Sequence, residues 1–271
     1  MPLVLVISIN EVHASKVPVT YPSHNSNIQS PEIPQPPPPP FDLTKIIDKA
    51  EHIVQRDQHN PDSYWVEDPA YRIVFTSDGI TYTPILKGNL SPYSFSFQVT
   101  QIGASSGEVF WDNKKATLPV SKENIISYNR TPDIQEIYEN INQGVEQSWI
   151  LQKDPGITIS SDLIITIGVK TSLAGKTTPY GGIEFVDRAG IPYVKYSKAV
   201  IIEAGGKRRE VATLWDEDAS RIVLNIPGEW LGSAAYPVIV DPVLTTADIA
   251  VGSLAATDAY PAVAYDSTNY L

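Results

Sequence analysis

The sequence contains no cysteine, and its four histidines, His13, His24, His52 and His59, all lie before residue 60. Without thiols the chain cannot form a disulfide framework, so its stability must come from apolar burial. The region after residue 60 has neither imidazole nor thiol. It therefore cannot form a Ser-His-Asp triad, a Cys-His pair or a His-ligated zinc site.

The chain also lacks an excess of basic charge and a membrane-length apolar run. It has 20 Lys+Arg and 31 Asp+Glu, a formal net charge of −11. Such a surface repels phosphate backbones, which argues against a nucleic-acid partner. The apolar run Leu3–Ile9 is too short to span a bilayer, so we expect no membrane span.

That apolar run matches the central part of a secretory signal, with Val12-His13-Ala14 as a loose cleavage site. The basic residues that normally precede it are missing, and the alternative interpretation is a buried strand. We assign residues 1–14 as a signal-peptide remnant and expect export.

Proline and then a helical pattern dominate the next segments. Residues 15–40 are predicted to be a disordered Pro-rich linker that ends in a stiff polyproline II spacer, Pro36–Pro40. Residues 41–59 are predicted to form one amphipathic helix that Asp42 can cap. Its apolar stripe recurs at helical spacing: Leu43, Ile46, Ile47, Ala50, Ile53 and Val54.

From about residue 62 the apolar period changes to two. In PYSFSFQVTQ, Tyr93, Phe95, Phe97 and Val99 face one way. Hairpins are predicted around Ser77–Gly79, Gly205-Gly206 and Asp216–Ser220, and further strands in DLIITIGVKT and YPVIVDP. This pattern predicts an all-β fold with one or two antiparallel β-sandwich domains.

A change of composition near Thr131-Pro132 divides this region into predicted sandwich domains at residues 62–130 and 131–244. Their inward strand positions give the expected core: Ile73, Phe75, Phe95, Phe97, Ile165, Ile167, Phe185, Ile201, Leu224, Val238 and Val240.

Two motifs resemble ligand-binding loops. Gly175-Lys176-Thr177 ends like a Walker A loop, but Lys170 occupies the position that needs glycine, so we predict a flexible connector. Asp216–Ser220 begins like a calcium loop, but Arg221 and Pro227 replace the required glycine and glutamate. A turn that satisfies local backbone donors is the preferred interpretation. A weaker calcium site made with another loop remains an alternative.

Other polar candidates are carboxylates and two histidines. His52 and His59, with Asp48 and Asp57 nearby, are either a metal site or solvated side chains, and we favour the latter. Carboxylate-only glycoside hydrolysis needs two converging acids. The candidates are Glu184, Asp187, Glu203, Asp216 and Asp218. Acids in strands and turns usually cover a wet face, so we predict a non-enzyme without catalytic, cofactor-binding or metal-binding residues and without a cofactor.

Five tryptophans offer a sugar-stacking platform or core aromatics: Trp65, Trp111, Trp149, Trp215 and Trp230. We favour the core, because they are scattered one per strand or turn. A carbohydrate-binding module would expose at least two of them on one concave face. The basic GGKRRE segment, 205–210, is interpreted as a solvated turn, and Asn89 and Asn129 begin N-glycosylation motifs.

Four segments carry a resemblance. IQEIYENINQGVEQSWIL resembles the Y-x-N-(I/V)-x-x-G-(I/V)-(D/E) stretch in the N-terminal region of large bacterial and archaeal surface proteins. SDGITYTPIL is similar to an early hairpin of those regions, and YPVIVDPVL to the segment that ends them. A β-propeller or another repeat array commonly follows there, and YPAVAYDSTNYL looks like its opening strands.

The resemblance covers about residues 62–271 and implies an exported, multidomain protein located extracellularly or at the cell surface. It carries no catalytic residues. We expect a non-catalytic scaffold region that supports a C-terminal repeat domain, with residues 245–271 as the start of a truncated repeat. The expected partners are other domains of the same protein. The alternative is a carbohydrate-binding or accessory β-sandwich module of an extracellular glycosidase, whose partner would be a cell-wall or extracellular glycan.

Overall fold

The structure is a computed structural model that describes residues 53–86, 89–114, 116–141 and 144–247. These residues all fall in one compact unit, residues 42–271. The predicted signal remnant, the Pro-rich linker and the predicted repeat start after residue 247 lie outside the described residues.

The regular elements of the described chain are strands and one four-residue helix. In chain order the first are β1 (Gln55–Arg56), β2 (Tyr64–Asp68), β3 (Tyr71–Thr76), β4 (Gly79–Leu86), β5 (Asn89–Leu90), β6 (Phe95–Ala104), β7 (Val109–Asp112), β8 (Val120–Lys122), β9 (Ile125–Asn129), β10 (Ile134–Ile141) and β11 (Gly144–Leu151). There follow β12 (Leu163–Lys170), β13 (Ala174–Thr177), β14 (Ile183–Val186), β15 (Pro192–Tyr196), β16 (Val200–Glu203), β17 (Arg208–Glu210), β18 (Ala212–Asp216), β19 (Arg221–Ile226), the short helix α1 (Gly228–Leu231), β20 (Val238–Asp241) and β21 (Val243–Thr246).

Two antiparallel sheets contain these strands. Sheet I has the order β1-β2-β3-β4-β6-β12-β19-β18, with β5 beside β4 and β7 beside β6. Sheet II has the order β13-β14-β15-β21-β11-β10-β9-β8, and β20 joins β11 to the β16–β17 hairpin. The predicted all-β, sandwich-like fold is confirmed.

The core lies between the two sheets. Phe97 of β6 in sheet I meets Phe185 and Tyr196 of sheet II, with ring centroids 6.1 and 6.2 Å apart. Every residue of the expected core is buried, and all of them belong to one apolar cluster. This cluster is continuous because strand faces with period two bury one side along the whole strand.

Local strand predictions agree with the structure. In β6, Phe95, Phe97 and Val99 are buried and the residues between them are partly exposed. The three predicted hairpins are β3–β4, β16–β17 and β18–β19. In each case the turn residues named from the sequence separate two paired strands.

Strands from both predicted sandwich domains contribute to both sheets. β6 pairs with β12 over eight residue pairs, and β9 pairs with β10 directly across the predicted boundary at residue 131. Ranges 62–130 and 131–244 therefore share one core. The sandwich also continues beyond residue 244, because β21 ends at Thr246.

Two local predictions are wrong. Residues 53–59 of the predicted helix are not helical, because Gln55 and Arg56 pair with β2 and form the edge strand β1. The rest of that predicted helix lies outside the described residues. The predicted connector at Gly175–Thr177 is part of β13, which pairs with β14. In both cases pairing with a neighbouring strand outweighed the local signal.

Within the described ranges, no helix has the length and apolar character needed to cross a membrane.

Candidate functional site

A gap in sheet I creates the candidate site. β4 pairs with β6 only as far as Phe97, and β7 pairs with β6 from Gln101 onward. Residues 98–100 of β6 lie between these two partners. The gap opens into a notch of about 240 Å³. Because a break in the ladder exposes the layer beneath, a side chain from sheet II reaches this notch.

That side chain is Arg130, which follows β9 and lines the notch. Its guanidinium lies between two rings, 4.4 Å from the centroid of Trp111 and 4.7 Å from that of Tyr128. Its Nε donates to Oε2 of Glu136 at 2.7 Å, and its Nη2 contacts the same oxygen. The Arg130 side chain is 3% exposed and that of Glu136 is fully buried. Stacking on both faces and the ion pair together fix the guanidinium in place.

Glu136 is the centre of a buried polar network. Its Oε1 accepts hydrogen bonds from the Tyr138 hydroxyl and from Nε2 of Gln147, and the Tyr196 hydroxyl donates to Oε1 of Gln147 at 2.9 Å. Burial, with the charge of Glu136 second, raises the pKa of Tyr138 and Tyr196 well above the usual value. Both hydroxyls therefore keep their protons and act as donors.

This network lies largely on the β10–β11 hairpin, which is the IQEIYENINQGVEQSWIL segment that carries the resemblance. Tyr138 belongs to the network, and Oδ1 of Asn140 accepts a hydrogen bond from Tyr71 at 3.0 Å. Gly144 has φ +143°, and a Cβ there would collide with the carbonyl oxygen of Leu244. The named positions of that motif thus hold sheet II together and attach it to sheet I.

Several polar side chains line the notch but are not used by the fold. Within the described ranges, the side chains of Asp78, Gln98 and Asn113 make no hydrogen bond or ion pair. Lys114 also lines the notch, and its Nζ lies 3.1 Å from Oδ2 of Asp112. No sequence pattern marked this site, because its residues come from four separated segments.

Four of the five candidate carboxylates are engaged locally. Glu184 pairs with a lysine, Glu203 with a lysine and a backbone N–H, and Asp187 accepts two backbone N–H groups of its own turn. Asp216 accepts from Ala219 and Arg221, and the arginine bond chiefly lowers its pKa. Among the residues described, no hydrogen bond or ion pair joins the side chains of two of these five acids.

The predicted Asp216–Ser220 turn is confirmed as a local structure, because Asp216 satisfies backbone and arginine donors there. No group of three or more His, Cys, Asp or Glu side chains suited to a metal ion occurs in the described ranges. His59 is 97% exposed, and Asp57 accepts the backbone N–H of His59 and of Asn60. His52 and Asp48 lie outside the described residues.

The Gly175 position has a packing role. A Cβ there would lie about 2.5 Å from the indole of Trp215, so only glycine leaves room for that ring. The same indole packs edge-on against Phe185 at 5.4 Å. Gly175 of the GKT motif therefore allows the two sheets to pack closely at Trp215.

The five tryptophans do not form one exposed aromatic face. Trp149 and Trp230 are buried, and Trp215 packs against Phe185. Trp65 lies under the guanidinium of Arg72 in a second groove, and Trp111 lines the notch. The double-tryptophan platform expected of a carbohydrate-binding module is absent from this set.

Two surface predictions concern exposed segments. Residues 204–210 are exposed, and Lys207 pairs with Glu203 at 3.4 Å. The turn covers only the first part of the predicted segment, because Arg208–Glu210 form strand β17. Asn129 is exposed at the end of β9, whereas the side chain of Asn89 lies outside the described residues.

Comparisons of the chain with protein-family models, with curated proteins and with solved structures gave no match.

Proposed function

We propose that this sandwich is a non-catalytic scaffold region of an exported surface protein, and that it supports a C-terminal repeat domain of the β-propeller type. The observation that carries the proposal is the place of β21, the last described strand. β21 pairs with β15 on one side and with β11 on the other. A chain leaving such a strand is anchored in the interior of a sheet, because both ladders must break before the strand detaches.

Thr246, the last residue of β21, also ties this strand to sheet I. Its Oγ1 donates a hydrogen bond to the carbonyl oxygen of Ala70 at 2.8 Å. The same Oγ1 accepts a hydrogen bond from the Tyr82 hydroxyl, also at 2.8 Å. The next residue, Ala247, donates its N–H to the carbonyl oxygen of Tyr193 at 2.9 Å. A load applied after residue 247 is therefore shared between both sheets. Such sharing suits a support for a following domain.

The non-catalytic part of the proposal is supported by the use of the acidic side chains. Each candidate carboxylate except Asp218 serves a local turn or ion pair, and Asp218 itself lies exposed in a turn. Glu136 is buried and saturated by Arg130, Tyr138 and Gln147. A general acid and base need substrate contact, and these groups are already committed to the fold.

Protease treatment of intact source cells tests export. Trypsin should release peptides from residues 53–247 into the supernatant, while a cytosolic marker protein of the same cells stays inside. Recovery of these peptides only after lysis would contradict export.

An antibody raised against the sandwich tests the repeat domain separately. On blots of the source cells it should detect a polypeptide much larger than the 29.7 kDa of this chain. Mass spectrometry of that band should yield peptides similar in sequence to residues 248–271. A single band near 29.7 kDa would contradict the repeat-domain part and leave export to be judged by the protease experiment.

A further inference from the structure

We propose that the notch between β4 and β7 binds one ring of a neutral sugar. The proposal is independent of the scaffold role and rests on four polar groups that converge on the same space. They belong to Asp78, Gln98, Asn113 and Arg130, which all line the notch. Trp111 forms an apolar wall beside them.

The polar groups are free to bind a ligand. The side chains of Asp78, Gln98 and Asn113 have no hydrogen-bond partner among the described residues. Arg130 directs Nε and Nη2 to Glu136, which leaves Nη1 without a hydrogen-bond partner among the described residues. The fold therefore leaves one carboxylate and two amides at the notch without a partner, beside an arginine that it holds fixed through Glu136.

A sugar matches this mixture because each hydroxyl both donates and accepts. Hydroxyls can donate to the carboxylate of Asp78 and accept from Nη1 of Arg130, and an amide can bond either way. The C–H surface of a sugar ring can lie against the indole of Trp111. Arg130 is held between two rings and an ion pair, so it would bind without losing rotamer freedom.

The charge and the volume of the notch restrict the class of ligand that it can bind. Among the described residues, Lys114 is paired with Asp112 and Arg130 with Glu136, and the carboxylate of Asp78 is the remaining charge of the lining. An anion gains nothing from this balance, and the chain as a whole carries −11. The cavity of about 240 Å³ is smaller than the 300–1,000 Å³ that drug-sized ligands occupy. One neutral ring is therefore the ligand class that the notch accommodates.

Saturation-transfer NMR on the full chain, residues 1–271, tests the proposal. The probes are D-glucose, D-galactose, D-mannose and N-acetyl-D-glucosamine, with D-glucuronate as the anionic probe. At least one neutral sugar should bind with a dissociation constant of about 1–10 mM, as expected for a small ligand held by a few hydrogen bonds.

Substitutions of residues that line the notch test whether the sugar binds there. Asp78→Ala should weaken it about tenfold or more, and Gln98→Ala about three- to tenfold, because each removes one hydrogen-bond partner. Asp78 is exposed in a turn, so its substitution leaves the core intact. Gln58→Ala is the matched control, since Gln58 is exposed and lines the second groove, beside Trp65. It should leave the affinity unchanged.

Three outcomes would overturn the proposal. The first is the absence of any neutral-sugar signal at about 50 mM, well above the expected constant. The second is tighter binding of glucuronate than of every neutral sugar. The third is binding that Asp78→Ala and Gln98→Ala leave unchanged, or that Gln58→Ala weakens as much as they do.

Discussion

Replacing Arg130 by Met should destabilise the sandwich strongly, because it leaves the charge of Glu136 without its cation. Methionine has a similar length and can occupy the space between the rings of Trp111 and Tyr128. Glu136 is fully buried, so water cannot replace the lost partner. Breaking a buried ion pair in this way costs about 3–5 kcal/mol.

The double substitution Arg130→Met/Glu136→Gln should be less destabilising than Arg130→Met alone. It removes both charges, and a glutamine at 136 keeps an oxygen for the donors of Tyr138 and Gln147. We expect a cost of about 1–2 kcal/mol, the value of imperfect neutral hydrogen bonds. Adding the second change therefore restores about 2–3 kcal/mol.

Urea unfolding followed by tryptophan fluorescence and far-UV circular dichroism measures both values. With a slope of about 2 kcal/mol per molar urea, the midpoint of Arg130→Met should fall by about 1.5–2.5 M. Coincident transitions for the two signals are needed for the two-state treatment. A loss below about 1 kcal/mol for Arg130→Met, or a double variant as unstable as the single one, would refute the reasoning.

Three further predictions concern stability. Phe97→Ala should lower the free energy of unfolding in urea by about 3–5 kcal/mol, because Phe97 is 1% exposed. The control Leu214→Ala, at a half-exposed position, should change it by less than about 0.5 kcal/mol. Similar values for both variants would contradict the assigned strand face. Thr246→Val should lower the free energy of unfolding by about 1–3 kcal/mol, because it leaves the buried hydroxyl of Tyr82 without its acceptor. An unchanged stability would contradict the proposed link between the two sheets. Burial, with the carboxylate of Glu146 second, raises the pKa of Asp241 from 3.8 to about 6. Its ionised form is thus penalised above about pH 6, and the penalty disappears as the pH falls toward 4. Asp241→Asn should therefore stabilise the protein by about 1–2 kcal/mol in thermal melts near pH 7.5 and by nothing near pH 4, and equal effects at both would contradict this sign.

The local part of the fold could be predicted because hairpins and strand faces depend on neighbouring residues. The alternation around Phe97 placed its ring in the core, and the turn residues at Ser77–Gly79 placed two strands side by side. The partners of those strands could not be predicted. β6 pairs with β12, in which each partner lies 59–74 positions further along the chain, and any apolar strand face offers a similar surface.

The buried network and the notch had no local signal. In β10 the inward positions include Ile134, Glu136 and Tyr138, while Ile137 points to the other side. An apolar pattern would not place a glutamate inward, and it does so only because Arg130 and Gln147 meet it there. The notch lies where β4 stops pairing with β6 and β7 begins to pair with it, and no sequence pattern indicates these positions.

The central place of β21 in sheet II also governs when the protein can fold. β21 is the last of the described strands in chain order, yet it separates β15 from β11. Until Thr246 has left the ribosome, the β13-β14-β15 part of sheet II has no strand that connects it to β11. Each of the two parts then has an open edge. Closure therefore waits for nearly the whole of residues 53–246 to be synthesised, which keeps the nascent polypeptide unfolded for longer than a fold made of sequential hairpins would.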